Sequence, residues 1–174
     1  MQRPEHPLTF EKTLDLPVSA EDAFAWHARP GAFDRLKPPW LKTEILQDSN
    51  GIEPGSRLVF RVKQGPFWIR WVAEHRNTIP GREFTDVQIE GPFAFWEHVH
   101  RFEPTPAGCR LRDSIEYALP LSWLSHPLAG WFVRRDLERM FDFRHRKTLE
   151  ALPAQDGNST PAGSVGGSGR QIKT

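Results

Sequence analysis

The fold of this chain is limited chiefly by a predicted run of short strands that is followed by one long helix. Between Lys42 and Leu119, segments rich in aromatic and β-branched residues alternate with turn sequences such as Gly65-Pro66 and Gly91-Pro92. Turns this short join neighbouring antiparallel strands. The pattern predicts six consecutive strands in a meander, over residues 42–47, 57–63, 67–76, 82–89, 93–102 and 110–119.

The N-terminal segment adds a seventh strand and two short helices. Residues 8–16 alternate apolar and polar side chains, which is typical of a half-buried strand. Ser19 followed by Asp22 is a helix-capping pattern and predicts a helix over Ala20–Ala28. Residues 32–36 are expected to form a second helical turn or two before Pro38-Pro39 ends it.

The C-terminal part of the strand-rich region passes into a helical pattern. From about Leu128 to Leu152, one stripe repeats at three- and four-residue spacing, as in an amphipathic helix. The stripe comprises Val133, Leu137, Met140, Phe141, Arg144 and Thr148. A long antiparallel sheet that buries one face must curl around something, and this helix is the element large enough to fill its concave side. The predicted fold is therefore α+β, a curved antiparallel sheet of about seven strands gripping a long helix, with a cavity between them.

The strand over residues 93–102 is expected to contribute polar side chains to that cavity. Its alternate residues Trp96, His98, His100 and Phe102 share one face, and the other face carries mostly charge. A register that exposed the histidines would bury Glu97, Arg101 and Glu103, so the histidines are expected to point inward.

Neighbouring strands place further polar residues beside these histidines. On residues 110–119 the apolar face includes Asp113 and Tyr117, and an inward carboxylate needs a histidine or arginine partner. Arg144, on the stripe of the last helix, is a second candidate partner for Asp113. The inward face of the strand over 82–89 is ambiguous. β propensity favours Thr85, Val87 and Ile89 inward, whereas the F-x-D-x-Q motif of this strand favours Phe84, Asp86 and Gln88.

Four segments carry a resemblance to a known superfamily. They are F-x-D-x-Q-x-x-G-P-F at Phe84–Phe93, W-x-H-x-H-x-F at Trp96–Phe102, D-x-I-x-Y at Asp113–Tyr117 and F-x-F-R-H at Phe141–His145. With the element order over roughly residues 7–152, they resemble stand-alone bacterial members of the SRPBCC superfamily, which are START-like, polyketide cyclase/dehydrase-like helix-grip proteins. The resemblance implies the helix-grip fold and a hydrophobic small-molecule ligand in the cavity.

Three interpretations of the inward polar residues stay open. They form a structural network, they orient a ligand in an apolar pocket, or two histidines and a carboxylate hold a metal. The ligand interpretation is preferred, with a cyclase- or dehydrase-type enzyme and a protein-interaction domain using Trp123 and Trp131 as alternatives; no cofactor, metal or catalytic residue is assigned. The ligand-binding candidates are Phe60, Asp86, Gln88, Trp96, His98, His100, Asp113, Tyr117, Phe141 and Arg144.

Composition limits the partners and the compartment. There are 23 lysines and arginines against 22 acidic residues, so bulk charge indicates neither nucleic acid nor an anionic membrane as partner. Cys109 is the single cysteine, and no signal peptide or membrane-spanning run is visible, so a cytoplasmic location is expected. Residues 1–152 are expected to form one domain, and 153–174 a disordered tail, because that tail has no aromatic residue.

Overall fold

A computed structural model describes residues 3–120 and 128–153 of the chain. The expected irregular link that contains Trp123, and residues 154–174 of the expected tail, lie outside the described residues. What the sequence indicates for these two segments therefore remains a prediction.

A single antiparallel sheet of seven strands is the main layer. The strands are β1 (Leu8–Leu16), β2 (Thr43–Gln47), β3 (Arg57–Gln64), β4 (Phe67–Ile79), β5 (Glu83–Glu90), β6 (Phe95–Thr105) and β7 (Gly108–Ala118). Their order across the sheet is β1-β7-β6-β5-β4-β3-β2. The first strand pairs with the last, so the meander from β2 to β7 is extended at one edge by the N-terminal segment.

Three helices occur in the described residues: α1 (Ala20–Ala28), α2 (Ala32–Leu36) and α3 (Ala129–Ala151). The Ser19 hydroxyl accepts a hydrogen bond from the Asp22 amide at 3.0 Å, which confirms the predicted cap of α1. Gly31 adopts a left-handed conformation with φ of 77° and separates α1 from α2. This curved sheet with its C-terminal helix is the helix-grip fold, as predicted.

The long helix α3 buries a broader face than its predicted stripe. Leu137, Phe141 and Thr148 of that stripe are buried, and Phe143 and His145 are buried as well. The rings of Phe141 and Phe10 lie 5.3 Å apart, so α3 packs directly against β1. No helix in the described residues is long and apolar enough to cross a membrane.

Candidate functional site

A cavity of about 1140 Å³ lies between the sheet and the helices. Strands β3 to β6 form one wall, and α2 and α3 contribute to the other sides. Aromatic rings cover much of the sheet wall, where Phe60 and Trp71 stack at 5.6 Å and Trp96 meets Trp71 edge-on at 5.4 Å. The space is therefore mainly apolar, as in pockets that hold organic ligands.

Six of the ten candidate residues line this cavity: Phe60, Asp86, Trp96, His98, His100 and Arg144. The other four are Gln88, Asp113, Tyr117 and Phe141, and they are not among the lining residues. Asp113 and Phe141 border a separate void of about 10 Å³, which has room for one water molecule at most.

The ambiguous strand β5 turns Phe84 and Asp86 towards the cavity. Thr85 and Val87 on its other face are also buried, which explains why apolar alternation could not decide the orientation. Gln88 is buried but has a structural contact: its amide nitrogen donates to the Phe93 carbonyl at 2.8 Å, and its amide oxygen accepts from the Phe93 amide at 3.3 Å. It therefore holds the β5–β6 turn.

Asp113 on β7 is the centre of a buried cluster of histidines. Its Oδ1 lies 3.0 Å from His98 Nε2 and 2.8 Å from His100 Nδ1. Its Oδ2 lies 2.7 Å from Nε2 of His145, which comes from α3. Asp113 is only 2% exposed, so this carboxylate depends on the three rings for its polar contacts.

A second carboxylate extends the cluster along the sheet. Asp86 Oδ1 lies 2.5 Å from His75 Nδ1, and Asp86 Oδ2 lies 3.3 Å from His100 Nε2. His100 therefore has a carboxylate oxygen near each of its ring nitrogens, which is the environment of a doubly protonated imidazolium. The network runs continuously from His75 through Asp86 and His100 to Asp113.

Strand register brings these residues together. Asp86 pairs with His75 on one side and with His98 on the other, and His100 pairs with Asp113. Inward side chains at paired positions of antiparallel strands are direct neighbours. The sheet thus places residues that are far apart in sequence within hydrogen-bonding reach.

The cluster separates the proton affinities of its members. Burial opposes the charge of His100, but the contacts with Asp113 and Asp86 raise its pKa to about 9. Burial and the nearby His100 charge lower the pKa of His98 to about 4. Burial would raise the pKa of Asp113, yet hydrogen bonds with His100 and His145 hold it well below its ordinary value. At neutral pH the carboxylates and His100 are therefore charged, and His98 is neutral.

Sequence analysis missed two members of the network, His75 and His145. His75 alternates with Trp71 and Ala73 on β4, and all three line the cavity. His145 follows Phe141 by four residues, so the helical spacing itself contained the signal. Arg144 was considered as the partner of Asp113, but among described residues His145 occupies that place and Arg144 has no ion pair.

Within residues 3–120 and 128–153, the group that could hold a metal is Asp86, His98 and His100, whose candidate ligand atoms all lie within 4.8 Å of one another. These atoms already contact each other or Asp113, so a metal would have to break existing contacts. We therefore predict that purified protein contains no stoichiometric zinc or iron. Elemental analysis that found about one transition metal per chain, lost in His98→Ala, would contradict this.

Comparison with known families gives one match. The model of the family described as polyketide cyclase / dehydrase and lipid transport matches residues 16–143. Among curated protein sequences, none matches this chain.

Solved structures include many of similar fold. A protein from Chromobacterium violaceum aligns with a TM-score of 0.64 at 13% identity, over 86% of this chain and 100% of that chain. Norcoclaurine synthase from Thalictrum flavum, in complex with dopamine and hydroxybenzaldehyde, aligns with a TM-score of 0.60 at 20% identity, over 83% of this chain and 88% of that one.

A third structure has a higher identity over a part of a larger protein. The nucleoside-diphosphate sugar epimerase from Corynebacterium glutamicum aligns at 28% identity with a TM-score of 0.58. The alignment covers 83% of this chain but 29% of the epimerase, so the likeness concerns only one part of that protein.

Proposed function

This chain belongs to the polyketide cyclase / dehydrase and lipid transport family, and from that membership and the cavity we propose that it is a binding protein for a hydrophobic small molecule. The cavity carries the proposal. Its volume of about 1140 Å³ is slightly above the usual range for small-molecule sites, roughly 300–1,000 Å³. Aromatic walls with a few polar groups are the usual form of such sites.

The charge states of the histidines favour binding over catalysis in the same cavity. General acid–base catalysis works best when the pKa of the catalytic group lies near the working pH. The pKa is about 4 for His98 and about 9 for His100, so neither ring changes its protonation near neutral pH. This argues against the cyclase- or dehydrase-type alternative for these two residues.

Two further observations bear on the proposal. A norcoclaurine synthase of similar fold was solved with two small aromatic molecules, dopamine and hydroxybenzaldehyde, which supports small-molecule binding as a use of this fold. The protein-interaction alternative depends on Trp123, which lies outside the described residues, and on Trp131, which is 56% exposed on α3.

A cavity-filling variant tests the proposal. The uncharged fluorescent probe phenylnaphthylamine is expected to bind the wild-type protein. Ala73→Trp should weaken binding, because Ala73 lines the cavity and a bulky ring would occupy it. Ala107→Trp, at an exposed position in the β6–β7 turn, is the matched control and should bind normally. Absence of binding to the wild type, or equal weakening in both variants, would overturn the proposal.

Native mass spectrometry of protein purified from its own host then addresses the natural ligand. A co-purifying organic mass that is lost in Ala73→Trp and retained in Ala107→Trp is the expected result. A co-purifying mass that is equally abundant in both variants would place its binding outside the cavity.

A further inference from the structure

We infer that the ligand is an organic anion and that Arg144 binds its acidic group. This inference rests on the proposed binding function and specifies the chemistry of the ligand. It depends on where Arg144 lies, on which partners it lacks and on what surrounds it.

Arg144 lies on the inner side of α3 and lines both the large cavity and the small void beside it. Its Nε is shielded from solvent and has no hydrogen-bond partner. Its guanidinium carbon lies 5.3 Å from the centre of the Phe141 ring, an apolar neighbour that stabilises the charge but accepts no ordinary hydrogen bond. The donors of Arg144 are therefore not used by the described part of the chain.

The nearest buried acids do not accept hydrogen bonds from Arg144. Asp113 is in contact with three histidines and Asp86 with two, at distances between 2.5 and 3.3 Å. They act on Arg144 only through the longer-range field that opposes the lowering of its pKa by burial. Arginine keeps its charge at neutral pH even when its pKa is lowered.

Other cations near the cavity differ from Arg144 in their surroundings. Arg29, Lys63 and Arg139 also line the cavity but are exposed, so water solvates them. Arg139 additionally lies 4.1 Å over the ring of Trp40. Among the lysines and arginines of the described lining, Arg144 is the one that is not exposed: it is half-buried, and its Nε is fully shielded from solvent.

A shielded N–H of a charged guanidinium, such as the Nε–H of Arg144, is unfavourable unless an acceptor satisfies it. The planar guanidinium matches a carboxylate or sulfonate, which can accept two parallel hydrogen bonds. The remaining wall offers aromatic rings such as Phe60, Trp71 and Trp96 for an apolar body. The ligand class is thus an amphipathic acid with its apolar part along the sheet and its acidic end at α3.

Two fluorescent probes of matched shape test the inference. Anilinonaphthalene sulfonate is anionic, and phenylnaphthylamine has the same ring system without the sulfonate. The wild type should prefer the anion. Arg144→Gln should weaken binding of the anion by about tenfold to a hundredfold and leave the neutral probe unchanged, because only the charged hydrogen bonds are lost. Arg144→Lys should retain part of the preference.

The controls separate this inference from the proposed function. Arg139→Gln removes an equal charge from the same helix and cavity, and should leave the probe preference intact. Equal affinity of wild type for both probes, or an equal effect of Arg139→Gln and Arg144→Gln, would overturn the role of Arg144 while the binding function stands. Failure of both probes to bind wild type would instead contradict the binding function. The wild-type preference remains decisive if Arg144→Gln does not fold.

Discussion

At the scale of single residues, Asp113 is the side chain on which most buried polar contacts converge. It meets His98, His100 and His145, which come from β6 and α3, and so it ties the sheet to the helix. A buried carboxylate with such partners is strongly destabilising to remove, because the partner charge is left uncompensated. Asp113 is therefore expected to stabilise the fold, although it does not line the cavity.

We predict that Asp113→Asn lowers the free energy of unfolding by about 3 kcal/mol, within the range for breaking a buried ion pair. The amide keeps the shape but removes the charge that balances His100. Denaturant unfolding measures the change. Asp15→Asn is the control, since Asp15 pairs with Arg110 on the surface and its loss should have little effect. Similar losses in the two variants would contradict the network.

His100 makes stability depend on pH on the alkaline side. Its pKa is raised from 6.5 to about 9, so the folded protein binds this proton more tightly than the unfolded chain does. Its contribution, on the order of 3 kcal/mol, is full below pH 6.5 and is lost as the pH rises to about 9. Burial raises the pKa of Cys109 from 9.0 to about 11, so that thiol adds a loss only at higher pH.

Urea unfolding between pH 6.5 and 9 should therefore show falling stability in the wild type. His100→Gln should be less stable at the lower end of this range but nearly independent of pH across it. An undiminished alkaline loss in that variant would assign the titration to another group.

Among the elements, the β6–β7 hairpin sets the position of β6 relative to β7. Thr105 pairs with Gly108 across a two-residue turn, and the long register that follows places His100 opposite Asp113. Gly108 has φ of 141°, and a β-carbon there would lie 2.1 Å from the Leu16 carbonyl oxygen. Only glycine allows β1 to approach the turn so closely.

Gly108→Ala should therefore lower the free energy of unfolding by about 3 kcal/mol or more, from strain and steric clash together. Gly51→Ala is a matched control, because Gly51 has a similar φ of 136° but no atom within 4 Å of the added carbon. It should show the backbone strain alone, about 1–2 kcal/mol. Melting curves of both variants measure the difference, and equal losses would exclude a steric role for Leu16.

At the scale of the whole molecule, the buried apolar residues form two clusters that share the sheet. One joins α1 to the strands through residues such as Ala23, Phe84 and Phe102, and the other joins α3 through Leu137 and Phe141. The cavity and the histidine network belong to the same sheet–helix arrangement. We therefore expect that folding of residues 3–153 does not require the segment that follows them.

We predict that a chain ending at Pro153 melts within about 2 °C of the full chain, because residues 154–174 have no aromatic side chain with which to anchor a core. Thermal unfolding of the two proteins under the same buffer measures this. A fall of many degrees would show that the tail contributes to the folded domain.

Local sequence patterns were enough to predict the elements and most of their inward faces. The bounds of β1, α1 and α2 agree with prediction, because alternation, capping and proline–glycine breaks are local signals. Both histidines of β6 point inward as predicted, at 3% and 8% exposure, because the opposite register would have buried three charges.

The contacts between polar groups, by contrast, depend on the three-dimensional packing of the elements. The sequence pattern left the partner of Asp113 open between a β6 histidine and Arg144, and it assigned neither His75 nor His145 to the site. It grouped Gln88 with Phe84 and Asp86 by alternation but did not reveal that the Gln88 amide pairs with Phe93. Such pairings depend on the strand order and on the rotation of α3 about its axis. A shift of one residue in either element would change them. Periodicity specifies the face of an element, but long-range packing selects the neighbour across it.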